Sequence, residues 1–172
     1  VGGALAAAVR GAAGRAWSPH RLALKPKRGK RSHHEAEMAH AAGISCEGEI
    51  GFVGYSGGEA SAGTDPQEAA IFARESGVDA MAISVGNVHL QQDREGGLDE
   101  ARIRAIEAMT EVPLVIHGGS GVPVAQRAAL AAGSRICKFN IGTELRMAFG
   151  AALRAAVDRD PARFDRVQIL KK

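Results

Sequence analysis

The sequence of residues 112–143 is VPLVIHGGSGVPVAQRAALAAGSRICKFNIGT, and this stretch indicates the fold. It begins with an apolar run that ends at His117 and enters a glycine-rich turn. A helical pattern follows, and a second apolar run then ends at Asn140, just before another helix. Strands that alternate with helices are typical of a parallel sheet, because a parallel connection needs a long crossover. Residues 112–143 therefore predict two consecutive β/α units.

The same alternation is present earlier in the chain. Strands are predicted at 44–53 (ISCEGEIGFV) and 78–86 (VDAMAISVG), with a helix between them that ends at Gly77 and is capped by Thr64 or Asp65. Four β/α units amount to half of a (β/α)8 barrel, which needs about 250 residues. We therefore expect an α/β chain that forms a partial TIM barrel, with a doubly wound sheet as the alternative architecture.

Residues 1–34 differ in composition from the rest of the chain. They contain eight Lys or Arg residues and no acidic residue, whereas residues 35–172 contain 14 basic and 19 acidic residues. We interpret 1–34 as a basic leader, disordered or misjoined, that contains no barrel strand, and 35–172 as the barrel domain. A basic arm from Arg21 to Arg31 would also suit a module that binds nucleic acid or an acidic partner. Without interleaved aromatic residues or a binding fold, that alternative ranks low.

Two further features of the composition concern location. No apolar stretch approaches the ~20 residues that span a bilayer, so a membrane is not an expected partner. The chain has only two cysteines, both inside predicted strands. A disulfide scaffold is therefore not expected, and the cytoplasm is the predicted location.

Polar residues stand at the C-terminal end of each of the four predicted strands. In a barrel these ends meet at one rim, which is where active sites are built. We therefore expect the polar residues to share one site. They are Glu47 and Glu49, then Asn87 and His89, then His117, and finally Asn140.

His89 and His117 are the candidate metal ligands. They follow consecutive predicted strands, and imidazole nitrogen suits zinc, whose catalytic sites have three protein ligands and an open position. A lone histidine at such a place is more often a hydrogen-bonded core residue. Because the two stand at neighbouring strand ends, we favour the metal site.

The glycine-rich turn after His117 is a candidate phosphate site. Glycines allow backbone amides to approach an anion, and the following helix adds its dipole. Ser120 can donate its hydroxyl. The segment Asn140–Thr143 would complete the site from the neighbouring strand, at a place where barrels often bind phosphate.

The polar residues belong to four motifs, which are Glu47-Gly-Glu49-Ile-Gly, Gly86-Asn-Val-His89, His117-Gly-Gly-Ser-Gly and Lys138-Phe-Asn-Ile-Gly-Thr. These motifs resemble those of the class II, zinc-dependent ketose-bisphosphate aldolases. The resemblance covers about residues 35–170 and the C-terminal half of that family's barrel. It implies reversible cleavage of a ketose 1,6-bisphosphate, most often fructose 1,6-bisphosphate, to dihydroxyacetone phosphate and glyceraldehyde 3-phosphate.

The resemblance also implies roles for individual residues. His89 and His117 match zinc ligands, and Glu49 matches a glutamate that ligates zinc when the metal shifts. Asn140 matches the asparagine that contacts the enediolate intermediate, and Glu59 the mobile acid–base glutamate. Gly118, Ser120 and Thr143 match positions that bind substrate phosphate. Asn140 and Gly142 are further candidates for this phosphate site, although Gly142 stands where some relatives have an aspartate. Leu90 stands where many relatives have a glycine that contacts phosphate or a monovalent cation.

By the same resemblance, the family has an Asp-His pair earlier in the barrel, with the aspartate for proton transfer and the histidine as third zinc ligand. That pair has no counterpart here, since the first aspartate is Asp65. We therefore expect a truncated form with little activity alone. It is expected to be marginally stable, or to close its open sheet edges as the homodimer usual in the family. The alternative is a non-catalytic remnant that still binds phosphate. The sequence does not distinguish fructose from tagatose 1,6-bisphosphate as the substrate.

Overall fold

The computed structural model describes residues 22–24, 30–51, 63–87 and 97–171. Over these ranges, five parallel strands form a sheet in the order β1-β2-β3-β4-β5, and helices occupy the crossovers. The strands are β1 Leu22–Leu24, β2 Cys46–Glu49, β3 Ala80–Ile83, β4 Leu114–Ile116 and β5 Ile136–Phe139. The helices are α1 Lys30–Ala41, α2 Pro66–Ser76, α3 Glu100–Met109, α4 Val124–Gly133, α5 Thr143–Arg159 and α6 Arg166–Leu170. The predicted alternation of parallel strands and helices is confirmed.

Strand β1 is an element that the sequence did not predict. It pairs in parallel with β2, with Leu22 opposite Cys46, and α1 already begins at Lys30. A run of three apolar residues is too short to predict a strand. The strand is defined by its hydrogen-bonded pairing with β2, which the local sequence does not show. The prediction that residues 1–34 contain no strand was therefore wrong. The division of the chain at residue 34 stays a prediction.

Helix α2 shows why the helices begin and end where the sequence predicts. The Asp65 carboxylate accepts hydrogen bonds from the backbone N–H groups of Gln67 and Glu68, at 2.9 and 3.0 Å. Gly77 ends the helix with a φ of 66°, in the left-handed region that favours glycine. Asp99 caps α3 in the same way as Asp65 caps α2. Each cap satisfies backbone groups that a helix end leaves without an intrahelical partner.

The sheet separates two apolar clusters on its opposite faces. The larger cluster lies between the sheet and the helices, and the smaller one consists of buried Ala80, Ala82 and Val115 with Cys137 packed against it. Successive side chains of a strand point to opposite faces, so the small residues line the face away from the helices. In a barrel that face is the interior. The strand residues of the larger cluster are Cys46, Met81, Ile83, Leu114, Ile116 and Ile136.

A bulge in β5 changes which face Lys138 occupies. Leu114 lies opposite Ile136, but the next residue of β4, Val115, lies opposite Lys138, so Cys137 is the extra residue. Simple alternation from Ile136 would place Lys138 on the face covered by helices. The bulge places it beside Val115 on the interior face instead.

The sheet is curved like the wall of a barrel. Lys138 Nζ lies 2.7 Å from Glu47 Oε2, although β3 and β4 separate β5 from β2. In a flat sheet these two strands would be about 14 Å apart, and their side chains would stand roughly perpendicular to the sheet. The direct contact therefore requires a concave interior face.

Helices α5 and α6 lie at the periphery, and neither contains a buried residue. Four exposed apolar residues of α5 recur every four positions and so share one helix face. They are Leu145, Phe149, Leu153 and Val157. Among the described residues, no helix is both long and apolar enough to cross a membrane.

Candidate metal and phosphate site

His117 directly follows β4 and lies between two carboxylates of β2. Its Nε2 atom is 3.3 Å from Glu47 Oε1, and its Nδ1 atom is 3.2 Å from Glu49 Oε1. The hydrogen bond to Glu47, and then the one to Glu49, raise the pKa of His117 from 6.5 to about 9, although burial opposes this shift. The two flanking carboxylates thus favour the protonated form of the imidazole.

Glu47 is held on the interior face by Lys138. The carboxylate is only 5% exposed, and Lys138 Nζ lies 3.0 and 2.7 Å from its Oε1 and Oε2 atoms. Between β2 and β4, the interior face of β3 carries only the small side chains of Ala80 and Ala82. Because alanine leaves the space above β3 open, Glu47 can reach His117 across the intervening strand.

Asn87 fixes the backbone of His117. Its side chain is 1% exposed, and its Nδ2 group donates to the carbonyl oxygens of Ile83 and His117, at 3.2 and 2.9 Å. Its Oδ1 atom accepts from the Val85 N–H at 2.7 Å. Asn87 thus ties the turn after β3 to the turn after β4, which sets the position from which the His117 ring projects.

Ser120 joins the two glycine-containing loops. Its Oγ atom accepts hydrogen bonds from the backbone N–H groups of Gly142 and Glu144, at 3.1 and 3.2 Å. The Gly119 N–H in turn donates to the Asn140 carbonyl at 3.0 Å. Ser120 therefore acts as a cap for the N-terminus of α5, although it lies in a neighbouring loop and not in the chain segment that precedes the helix. The two loops therefore lie against each other.

The remaining candidate phosphate residues line the same end of the sheet. Gly118 has a φ of 66°, a left-handed backbone that favours glycine. Thr143 Oγ1 accepts from Arg146 Nη2 at 3.1 Å, and a Cβ atom at Gly142 would lie 3.0 Å from the Arg146 Nη1 atom. The Asn140 side chain is exposed at the end of β5. This part of the site therefore combines a glycine-rich backbone, two hydroxyls and one exposed cation.

Two predicted site residues, Glu59 and His89, lie outside the described residues, as does Leu90. Their roles stay predictions. The other predicted residues lie on the turns and strand ends at the C-terminal edge of β2, β4 and β5. They are Glu49, His117, Gly118, Ser120, Asn140, Gly142 and Thr143.

The chemistry of the donors at His117 fits a zinc ion. Imidazole nitrogen and carboxylate oxygen are both zinc ligands, and a carboxylate on the other ring nitrogen is the usual support of a metal-binding histidine. Nδ1 of His117 faces Glu49, whereas Glu47 occupies Nε2. Within the described ranges, no group of three or more His, Cys, Asp or Glu side chains could hold a metal ion. His117 fits a zinc-ligand position, Glu49 fits the carboxylate that ligates zinc when the metal shifts, and His89 stays the other predicted histidine ligand.

Glu47 and Lys138 stand within the motifs, but the motifs give neither residue a specific role and do not predict the hydrogen bonds of Asn87. A charged residue inside an apolar strand signals a buried partner. Glu47 is such a residue in the segment 45–50. The partner was not identifiable, because Lys138 is 91 residues away and alternation places it on the wrong face.

Comparison with known proteins identifies the chain's relatives. The family model for class II fructose-bisphosphate aldolase matches residues 30–172. The fructose-bisphosphate aldolase of Geobacillus stearothermophilus is 36% identical over 139 residues, which cover 78% of this chain and 48% of that protein.

Solved structures show the same relationship at the level of the fold. The YdjI aldolase of Escherichia coli K12 superposes with a TM-score of 0.66 at 27% identity, over 87% of this chain and 52% of that one. The fructose-bisphosphate aldolase of Campylobacter jejuni superposes with a TM-score of 0.57 at 23% identity, over 83% of this chain and 45% of that one. The chain thus spans about half the length of the relatives it matches. It belongs to the class II fructose-bisphosphate aldolase family.

Proposed function

We propose that this chain carries the zinc- and phosphate-binding half of a class II aldolase. The reaction is the reversible cleavage of a ketose 1,6-bisphosphate to dihydroxyacetone phosphate and glyceraldehyde 3-phosphate, with fructose 1,6-bisphosphate as the favoured substrate. The observation that supports it best is the position of His117. It lies between Glu47 and Glu49 and is followed at once by the loop that Ser120 ties to the start of α5.

In this proposal His117 and Glu49 hold the metal together with His89. Bound zinc would act as a Lewis acid that polarises substrate oxygens and stabilises developing negative charge. Asn140 orients the three-carbon product from the end of β5. Glu59 is the proposed proton carrier, since a carboxylate within reach of the substrate can give and take a proton.

The substrate phosphate is proposed to lie between the two loops. Both N–H contacts to Ser120 Oγ use the lone pairs of the hydroxyl, so its O–H group is left to donate to an anion. Thr143 offers a second hydroxyl, and the N-terminus of α5 contributes the positive end of its dipole. The backbone of Gly118 and Gly142 can approach the phosphate closely.

A homodimer is the proposed assembly. The exposed apolar face of α5 formed by Leu145, Phe149, Leu153 and Val157 offers a surface for it. Sedimentation equilibrium of the chain tests this proposal. A monomer at all concentrations up to about 100 μM, where a Kd near 1 μM would give almost complete association, contradicts it.

A chimeric aldolase that contains this chain's residues tests the aldolase proposal. Residues 30–172 would replace the matching segment of the Geobacillus stearothermophilus aldolase, and both fructose and tagatose 1,6-bisphosphate would be offered. We expect cleavage that a chelator abolishes and that His117→Ala eliminates. His40→Ala serves as the matched control, because His40 pairs with Asp79 near the start of β2. A folded, zinc-loaded chimera that cleaves neither sugar contradicts the proposal and supports a non-catalytic phosphate-binding remnant.

A further inference from the structure

Lys138 and Glu47 form an ion pair to which the proposed function assigns no role. Neither is among the groups proposed to hold the metal, the phosphate or the reacting carbons. Yet Glu47 is almost completely buried, and Lys138 is brought to the interior face only by the bulge in β5. Burying a carboxylate is costly unless a cation and hydrogen bonds compensate it. This cost suggests that the pair has a task at the site.

The geometry shows what the pair does to His117. Lys138 Nζ contacts both carboxylate oxygens of Glu47, at 3.0 and 2.7 Å, which fixes the plane of the carboxylate. Glu47 Oε1 then lies 3.3 Å from His117 Nε2. With Nε2 occupied in this way, Nδ1 is the ring nitrogen that faces Glu49.

We propose that Lys138 and Glu47 are positioning residues that hold the His117 ring with its Nδ1 atom toward the metal-binding carboxylate. This inference rests on the proposed function in so far as Nδ1 is taken as the metal ligand. An imidazole attached only at Cβ can rotate and flip, which would present Nε2 instead of Nδ1. A buried carboxylate held by a lysine that reaches it from β5 across the interior face prevents both movements.

The bulge in β5 belongs to the same arrangement. A regular strand would place Lys138 with Ile136 on the helix-packed face and would leave Glu47 without this cation. Bulges near active sites commonly re-aim a side chain in this way. The small residues Ala80 and Ala82 of β3 complete the arrangement, because a larger side chain there would separate Glu47 from His117.

The test compares zinc affinity in variants of the full chain, measured by competition with a chromophoric chelator at one fixed pH. Lys138→Met should weaken zinc binding roughly 10- to 100-fold, the usual effect of losing a group that orients a metal ligand. Lys138→Arg should restore most of the affinity, since it keeps a cation and hydrogen-bond donors for Glu47. Arg127→Met is the matched control, because it removes another partly buried ion pair, with Glu144 at 3.0 Å, away from His117.

A second variant covers the case in which Lys138→Met fails to fold. The double variant Glu47→Gln/Lys138→Met removes both charges, so no unpaired carboxylate is left in the interior. It should fold and should still bind zinc more weakly than the wild type. Zinc affinity equal to that of the wild type in either folded variant, or equal losses in Arg127→Met, overturns the inference.

A spectroscopic measurement separates this inference from the proposed function. In metal-free wild type, the His117 Nε2–H should give a slowly exchanging NMR signal with a correlation to the ring, because it is buried against Glu47. The signal should be lost in Lys138→Met and kept in Arg127→Met. A wild type that binds no zinc but shows this pattern would overturn the proposed metal site and leave the positioning role intact. Equal signals in wild type and Lys138→Met would overturn the positioning role itself.

Discussion

Replacement of Ser120 by alanine tests how the two loops of the candidate phosphate site are held together. Ser120 is 8% exposed, and its Oγ atom accepts from the N–H groups of Gly142 and Glu144. Removing a helix-capping acceptor costs about 0.5–2 kcal/mol, and leaving buried donors without an acceptor costs a similar amount. Water can replace part of the loss, because Gly142 and Glu144 are only partly buried. We therefore expect Ser120→Ala to lower the free energy of unfolding by about 1–2 kcal/mol.

The assay is urea unfolding followed by circular dichroism, together with calorimetric binding of dihydroxyacetone phosphate. The control is Ser76→Ala, because Ser76 is also buried but donates to the Phe72 carbonyl within its own helix. That change removes a donor, not an acceptor, and alanine favours the helix, so we expect a cost of at most about 0.5 kcal/mol. Ser120→Ala should also weaken sugar-phosphate binding, which Ser76→Ala should not. Equal losses of stability in the two variants would refute the reasoning.

Three further predictions concern the residues around His117. Ala82→Leu should destabilise the fold by about 1–3 kcal/mol and weaken zinc binding, because the added volume overpacks the interior face of β3; unchanged zinc affinity in chelator competition would refute this. Asn87→Ala should lower the free energy of unfolding by about 2–4 kcal/mol, because it leaves buried backbone groups without hydrogen-bond partners. Hydrogen exchange of the Val85 amide should become faster in this variant, and an unchanged exchange rate would contradict the prediction. The pKa of His117 in the metal-free fold lies above its unfolded value, so its contribution to stability should be complete below about pH 6.5 and lost as the pH rises through about 9. Between about pH 6.5 and about pH 9, the urea midpoint of the wild type should therefore decrease more than the midpoint of His117→Gln. Midpoints that decrease equally in the two proteins would contradict this prediction.

The sequence was informative wherever local chemistry decides the structure. The Asp65 cap and the Gly77 stop define α2. The predicted strand at 44–53 contains β2 Cys46–Glu49, and the apolar run that ends at His117 contains β4, so the ends of both strands meet at one edge. A glycine-rich turn followed by a helix was enough to predict the loop that Ser120 anchors. These features depend on neighbours within a few residues, so pattern and capping rules apply to them.

The sequence was uninformative where distant residues decide. β1 is only three residues long and depends on its pairing with β2. Lys138 reaches Glu47 only because of a bulge and the curvature of the sheet. Alternation of side chains predicts the opposite face for Lys138, and nothing in the sequence of residues 134–140 indicates an extra residue in the strand. Long-range register of this kind is set by packing, which a single sequence does not display.

The most direct test of the central claim is calorimetric binding of dihydroxyacetone phosphate to the full chain with and without zinc. We predict tighter binding to the zinc-loaded protein, loss of that gain in His117→Ala, and retention of it in His40→Ala. Equal affinity in the metal-free protein, the zinc-loaded protein and His117→Ala would contradict the claim that His117 and the Ser120 loop form one metal and phosphate site.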